Sequence, residues 1–274
     1  MNSQDLQAYH KHITDVYDER SAKHDNSQWH RKTALKLIDD MPPKSGDVVL
    51  DIGTGTGTIA FHAASLVGPS GQVIGVDLSP GMLTQAKSKL AKSALNNLEF
   101  VLADAEQLSF PDNSFDRIYC ASAFFCILDP LSALRRWYGL LKPNGILGFH
   151  AQPETSYFWV REARKVFRRY GYPYLINDAT ATIEKSEKLL RGAGYRAVDI
   201  RVEESGFYKS AEDARNSWIQ ASDFFPGQYP HPVTNVPPDV LAQCKQEYEA
   251  NIEALITEKG IWNDISMYYI YAHK

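Results

Sequence analysis

Val49-Leu50-Asp51-Ile52-Gly53-Thr54-Gly55-Thr56-Gly57 decides the fold of this chain. The apolar run before the glycines reads as a short buried strand over residues 48–52. The apolar positions after them, Ile59, Ala60, Ala63 and Leu66, fall on one face of a helix. Glycine between the two lets the backbone turn sharply and approach a ligand with no Cβ in the way. The next helix offers unpaired N–H groups at its N-terminus. A strand, a glycine turn and a helix in that order suit a nucleotide-derived ligand.

The same alternation continues downstream. Residues 72–77 read as a second strand ending in Asp77, and Ser79-Pro80 starts a helix with Met82, Leu83, Ala86 and Leu90 on its apolar side. Strands follow at 98–103, 115–121 and 146–150, with Asp129-Pro130 opening a helix through Leu134, Trp137 and Leu140 before the last of them. Repeated β-α order predicts a parallel sheet covered on both faces. Upstream, Trp29, Ala34, Leu37, Ile38 and Met41 have helical spacing, and Pro42-Pro43 ends the run. Residues 1–45 are therefore expected to form a helical cap, and 46–274 one α/β domain.

The second half is less regular. Helices are expected over 157–170, 184–190, 211–221 and 238–258. The alternation of Val198, Ile200 and Val202 predicts a strand, and residues 265–271 a closing one. The basic residues Arg161, Arg164, Lys165, Arg168 and Arg169 read as the wet face of a helix. Between the last two strands lies an insertion, 211–260, with the Pro- and aromatic-rich loop from Phe224 to Pro232.

Composition narrows the function. With 44% hydrophobic and 23% charged residues, the chain is an ordinary globular sequence. A net charge of −4 gives no basic surplus to grip a phosphate backbone, so a nucleic-acid substrate is not expected. The three cysteines, Cys120, Cys126 and Cys244, are an odd, sparse set without zinc-site spacing, which fits a reducing compartment. The N-terminal residues carry no apolar leader core and no window spans a membrane, so the expectation is a cytoplasmic protein away from the membrane. Monomer and homodimer both stay open.

The glycine spacing separates ligand classes. A dinucleotide fingerprint is G-x-G-x-x-G. Here the pattern is D-x-G-x-G-x-G with Asp51 in front, which resembles motif I of class I S-adenosylmethionine-dependent methyltransferases. The resemblance continues through Asp77, Asp104-Ala105, the run Phe110–Asp116 and the turn Lys142-Pro143-Asn144-Gly145. It implies a Rossmann-like, seven-stranded, mostly parallel sheet whose last strand is antiparallel, with S-adenosylmethionine as cofactor. It implies that Asp51, Gly53, Thr54, Gly55 and Gly57 accommodate the methionine tail, that Asp77 takes the ribose hydroxyls, and that Asp104 and the Ala105 N–H meet the adenine. Leu78, Met82 and Ala121 complete the expected cofactor set.

Within that class the chain is similar to the branch of ubiquinone/menaquinone C-methyltransferases and many natural-product methyltransferases. The segment from Val16 to Asp25 resembles that branch's N-terminal Tyr-Asp box, with His24 where a Tyr is usual. Tyr17 is the residue carried over, as a cofactor contact and catalytic candidate. The branch spans C-, N- and O-methylation.

Open α/β sheets bind ligands beyond the carboxyl ends of their strands. The apolar, aromatic turn Cys120-Ala121-Ser122-Ala123-Phe124-Phe125 after the fourth strand points to a small, largely apolar or aromatic acceptor and no metal. His150, at the end of the fifth strand, is the candidate general base, since an imidazole titrates near neutrality. Phe124, Phe125, His150, Tyr157, Trp159, Phe224, Phe225 and Tyr229 are the expected substrate contacts. The aromatic residues of the insertion either line a substrate lid or fill a second core or dimer interface. Two rival functions stand beside methyl transfer: an NAD-dependent oxidoreductase, and a non-catalytic S-adenosylmethionine-binding protein.

Overall fold

The computed structural model describes residues 3–218, 227–228 and 233–274. Two helices come first, α1 (Ser3–Arg20) and α2 (Gln28–Asp39), joined by a 3-10 turn at Ser21–Asn26. Ser27 caps α2 by accepting the His30 N–H. The α/β repeat then follows: β1 (Val48–Ile52), α3 (Thr58–Val67), β2 (Gln72–Asp77), α4 (Pro80–Leu90), β3 (Leu98–Leu102), β4 (Phe115–Cys120), α5 (Pro130–Leu140) and β5 (Leu141–Ala151). The second half holds α6 (Phe158–Arg169), α7 (Ile183–Ala193), β6 (Ala197–Glu203), β7 (Gly206–Lys209), α8 (Ala211–Arg215), α9 (Pro238–Leu255), β8 (Ile261–Asp264) and β9 (Met267–His273).

Seven strands form one sheet in the order β3-β2-β1-β4-β5-β9-β6. β1 to β5 pair in parallel, and β9 runs antiparallel to both β5 and β6. The strand order reverses between β1 and β4, and that switch point opens a crevice at their carboxyl ends. Each face of the sheet buries its own cluster. Ile38, Ile59, Ala63, Leu83 and Phe100 lie on one side, and Ile118, Leu134, Trp137, Phe149 and Leu190 on the other. No helix among the described residues is long and apolar enough to cross a membrane.

The sequence expectations need correction in the second half. The closing strand expected over 265–271 is β9, which joins the main sheet, while the separate two-stranded ribbon of β7 and β8 was not expected. The helix expected over 211–221 stops at Arg215, and residues 219–221 lie outside the described residues. β5 begins at Leu141, which pairs with Phe115, and the expected turn at 142–145 is present as a bulge within it, with Asn144 at φ of 66° before the pairing resumes at Ile146 with Arg117. Arg164 is not on a wet face. It is buried, and its guanidinium donates to the carbonyls of Glu154 at 3.1 Å and Ile176 at 2.6 Å. This happens because α6 and α9 close a third apolar cluster around Phe158, Phe167, Trp218, Tyr248 and Ile252.

Candidate active site

A cavity of about 770 Å³ sits at the switch point. Its floor is the glycine turn. Gly53, Gly55 and Gly57 have φ of 63°, 55° and 92°, the left-handed region that glycine enters at no steric cost. At Gly53 there is also no room: a Cβ there would lie 2.4 Å from the Cβ of Ala123. The turns after β1 and β4 are thus in contact. Thr54 N–H donates to the Val76 carbonyl at 2.9 Å, which ties the turn to β2.

Two buried carboxylates organise this floor. Asp51 Oδ2 accepts from Thr54 Oγ1 at 2.6 Å and from Ala60 N at 3.1 Å, joining strand, turn and helix. Burial pushes the Asp51 carboxyl up to about 7, opposed by those two hydrogen bonds and reinforced by the charge of Asp77. Asp77 accepts from Gly55 N–H at 2.7 Å on one oxygen and from Ser79 N–H at 2.9 Å on the other. Burial raises its carboxyl too, against the pull of these main-chain donors. Asp51 Oδ1 and both oxygens of Asp77 keep capacity for a further donor.

The roof comes from α1. Tyr9, Ile13 and Tyr17, four residues apart on one helical face, line the cavity together with His10, Arg20, His24 and Asp25. Asp18 docks that helix by accepting from Ser79 Oγ and, at 2.8 Å, from Gly81 N–H at the start of α4. Tyr9 donates its hydroxyl to the Cys126 carbonyl at 2.6 Å and accepts the Gly227 N–H at 2.7 Å. Tyr17 places its hydroxyl 3.8 Å from Cys126 Sγ, and burial holds its phenol protonated.

Most of the expected cofactor residues meet here. Tyr17, Asp51, Gly53, Thr54, Gly55, Asp77, Leu78, Met82, Asp104, Ala105 and Ala121 all line the cavity. Gly57 does not; it turns the chain into α3, packed against Phe61 and Phe100. Asp104 accepts from Glu106 N–H and from Gln107 Nε2, both at 2.9 Å. His10, Asp104 and Glu106 bring ligand atoms within 4.8 Å of one another. The Glu106 oxygens accept the Leu128 and Asp129 N–H groups, so Glu106 staples the turn after β3 to the turn before α5.

The expected substrate contacts divide. Phe125 lines the cavity. Phe124 is turned inward, 3% exposed, with its ring centroid 4.5 Å from that of Phe149 and 5.9 Å from that of Trp137. Tyr157 and Trp159 pack against the third apolar cluster, away from the cavity lining. Trp218 stacks on Phe167 in the same cluster, so for these aromatics the second-core reading holds. Phe224, Phe225, Tyr229 and His231 lie outside the described residues.

His150 is one layer behind the cavity. Strand alternation turns its ring to the Tyr269 side, at 4.9 Å between centroids. Its Nδ1 is 3.2 Å from Ser122 Oγ, and Ser122 does line the cavity. Burial drives the imidazole down to about 4, with the main chain of Thr33 opposing, so the ring is neutral at physiological pH. Ser122 has φ of 53°, a strained conformation for a residue with a Cβ. Ser122, Tyr9 and Ile13 were not singled out in the sequence. The 9/13/17 spacing was the available signal for the two on α1; nothing local marks Ser122.

The carboxylates of Asp51 and Asp77 face the glycine turn, where a dinucleotide would place its pyrophosphate. Asp77 stands where a dinucleotide site also carries its ribose acid, so it is the added acid Asp51 beside the turn that suits a ligand with a cationic end. A methyltransferase-domain family matches residues 43–151. Aklanonic acid methyltransferase DauC of Streptomyces sp. (strain C5) is 31% identical over 181 residues, covering 65% of this chain and 76% of that protein. The ubiquinone/menaquinone biosynthesis C-methyltransferase UbiE of Pseudomonas fluorescens (strain SBW25) is 36% identical over 212 residues, covering 71% and 80%.

This chain is an S-adenosylmethionine-dependent methyltransferase. The methyltransferase fold recurs in solved structures. YcgJ of Bacillus subtilis matches with a TM-score of 0.57 at 21% identity, over 89% of this chain and 98% of that one. A methyltransferase from Aquifex aeolicus matches with a TM-score of 0.51 at 24% identity, over 70% and 92%. The cofactor of this methyltransferase is S-adenosylmethionine, and the carboxylates and glycine cradle of the cavity fit its donor groups.

Proposed function

We propose that this methyltransferase acts on a small, largely apolar or aromatic acceptor of quinone or polyketide type, in natural-product or quinone metabolism. The observation that carries this reading is the cavity wall beyond the glycine turn. Tyr9, Ile13, Ala123, Phe125 and Ile127 give it an apolar, aromatic surface, with Ser122 as a polar point among them. The relatives support the same class, since one acts on aklanonic acid and another serves ubiquinone and menaquinone biosynthesis.

In this reading Asp51 and the turn from Gly53 to Gly57 hold the methionine tail, with the main chain at Ala121 on its other side. Asp77 takes the ribose hydroxyls, Leu78 and Met82 flank the adenine, and Asp104 with Ala105 meets its edge. Tyr17 closes over the cofactor from α1. The bound cofactor supplies an activated methyl group on a sulfonium. The chain's part is to bring the accepting atom to about 3–3.5 Å in line with the bond being broken and to keep water out. His150, neutral behind Ser122 with Nε2 buried and unpartnered among the described residues, donates from Nδ1 to the Ser122 oxygen and leaves the Ser122 hydrogen free to turn toward the acceptor.

Residues 1–45 serve as a cap and 211–260 as a lid. Gly227 supports the lid assignment: it donates to the Tyr9 hydroxyl and lies so close to Phe125 that a Cβ would be 2.4 Å from that residue's carbonyl oxygen. Phe224, Phe225 and Tyr229 flank it in sequence and lie outside the described residues.

The test is a mass-spectrometric screen of the full chain with S-adenosylmethionine and a panel of hydroxynaphthoquinones, anthraquinone carboxylic acids, indoles and alkylamines. Methylated products confined to the quinone or polyketide-like acids support the reading. Methylation confined to the amines or indoles overturns it.

A further inference from the structure

His24 ends the stretch that covers the glycine turn, and its ring edge faces Gly55. A Cβ built on Gly55 would lie 3.6 Å from His24 Cε1 and 3.9 Å from Nε2. The other ring nitrogen, Nδ1, is buried with no hydrogen-bond partner among the described residues. A buried N–H without an acceptor is the costlier orphan, because it loses its water and gains nothing. The neutral ring therefore carries its hydrogen on Nε2, with the bare lone pair at Nδ1. That leaves one N–H donor aimed along the surface of Gly55.

The surroundings hold the ring in place and set its charge. Asp25, next in sequence, accepts from Thr56 Oγ1 and from Lys89 Nζ at 3.0 Å, which pins the turn to the floor and to α4. His30 of α2 faces it with ring centroids 5.9 Å apart, and Arg20 at the end of α1 shares the cavity lining. Burial lowers the His24 imidazole below its ordinary range, Asp25 pulls it up and Lys89 pulls it down.

We infer that His24 is the clamp for the cofactor's amino-acid tail, its Nε2–H donating to the tail carboxylate where it passes over Gly55. This rests on the placement of the tail along residues 51–57 proposed above. An arriving carboxylate favours the protonated ring, so binding of a ligand that carries the tail draws the His24 pKa upward.

Calorimetry of the full chain with two ligands tests this. S-adenosylhomocysteine carries the tail; 5′-methylthioadenosine keeps the adenosine and the sulfur and lacks it. His24→Ala is expected to weaken S-adenosylhomocysteine by about tenfold or more and to leave 5′-methylthioadenosine unchanged. His24→Gln, whose side-chain N–H reaches near the Nε2 position, recovers most of the loss. Equal weakening of both ligands, or of neither, overturns the assignment; the latter is the result if Arg20 alone holds the carboxylate. Should His24→Ala fail to fold, NMR titration of the His24 ring in the unaltered protein decides. S-adenosylhomocysteine must raise its pKa and 5′-methylthioadenosine must not, and a ring that titrates identically with both sinks the clamp. Unaltered protein that binds only 5′-methylthioadenosine overturns the tail placement itself, a separate outcome from loss of the clamp alone.

Discussion

The main-chain N–H of Gly55 donates to Asp77 Oδ2 at 2.7 Å, so the glycine turn after β1 and the end of β2 are one unit. The acid proposed for the ribose also fixes the turn proposed to cradle the tail. A substitution at either position therefore reaches both halves of the cofactor site.

Gly53 should tolerate no side chain. Gly53→Ala combines φ of 63° with a Cβ 2.4 Å from that of Ala123. It is expected to lower stability by about 2 kcal/mol or more and to displace the turn after β4. Gly171, with φ of 83° and nothing within 4 Å, is the control: its Ala variant pays the backbone term alone, about 1 kcal/mol. Urea unfolding of the two variants should rank them in that order, and equal losses would show that the Ala123 contact is soft.

Asp51 makes the ligand-free enzyme sensitive to alkali. Its folded pKa of about 7 lies above the ordinary 3.8, so its contribution is complete below about pH 4 and is lost as pH rises through 7. The melting temperature of the free enzyme should fall between pH 5 and 8, and Asp51→Asn should flatten that slope. S-adenosylhomocysteine, which brings a cationic ammonium, should stabilise the unaltered enzyme more at pH 8 than at pH 5. A slope unchanged by Asp51→Asn would mean that other groups set it.

His150 works in the opposite sense. Its folded value of about 4 lies below the ordinary 6.5, so its contribution is present above about 6.5 and is lost as pH falls toward 4. His150→Gln should shift the acid unfolding midpoint to lower pH. An unchanged midpoint would place the ring in contact with water.

Ser122 separates strain from function. With φ of 53°, Ser122→Gly removes the hydroxyl and relieves the backbone, so its stability should equal or exceed that of the unaltered enzyme by up to about 1 kcal/mol. Turnover of an acceptor that must lose a proton should still fall by about tenfold or more, as it should for Ser122→Ala. Full activity in the stable glycine variant would remove Ser122 and His150 from the chemistry.

The sequence made the parallel half of the fold legible because the central strands β1 and β4 are short, largely buried apolar runs, and α4 and α5 open on the capping pairs Ser79-Pro80 and Asp129-Pro130. The β7–β8 ribbon was not legible. Phe207, Tyr208 and Trp262 in it are each 47% exposed, so burial imposes no alternation on the sequence. The floor of the site was readable from glycine and aspartate spacing, since backbone conformation and strand ends fix those positions. The acceptor wall was not: the left-handed Ser122 rotates the turn, sends Phe124 into the core and leaves Phe125 at the cavity, and no local pattern distinguishes the two rings. Likewise Tyr157 and Trp159 are aromatic for the sake of the third cluster, which forms only when α6 meets α9.

Calorimetric titration of S-adenosylhomocysteine into the full chain and into its Asp77→Asn variant is the most direct test of how the cofactor is held. The account predicts one site per chain in the unaltered enzyme and at least about tenfold weaker binding in the variant, from loss of charge-assisted bonds to the ribose. Equal affinity in a folded variant, or no heat at all from the unaltered enzyme, would contradict it.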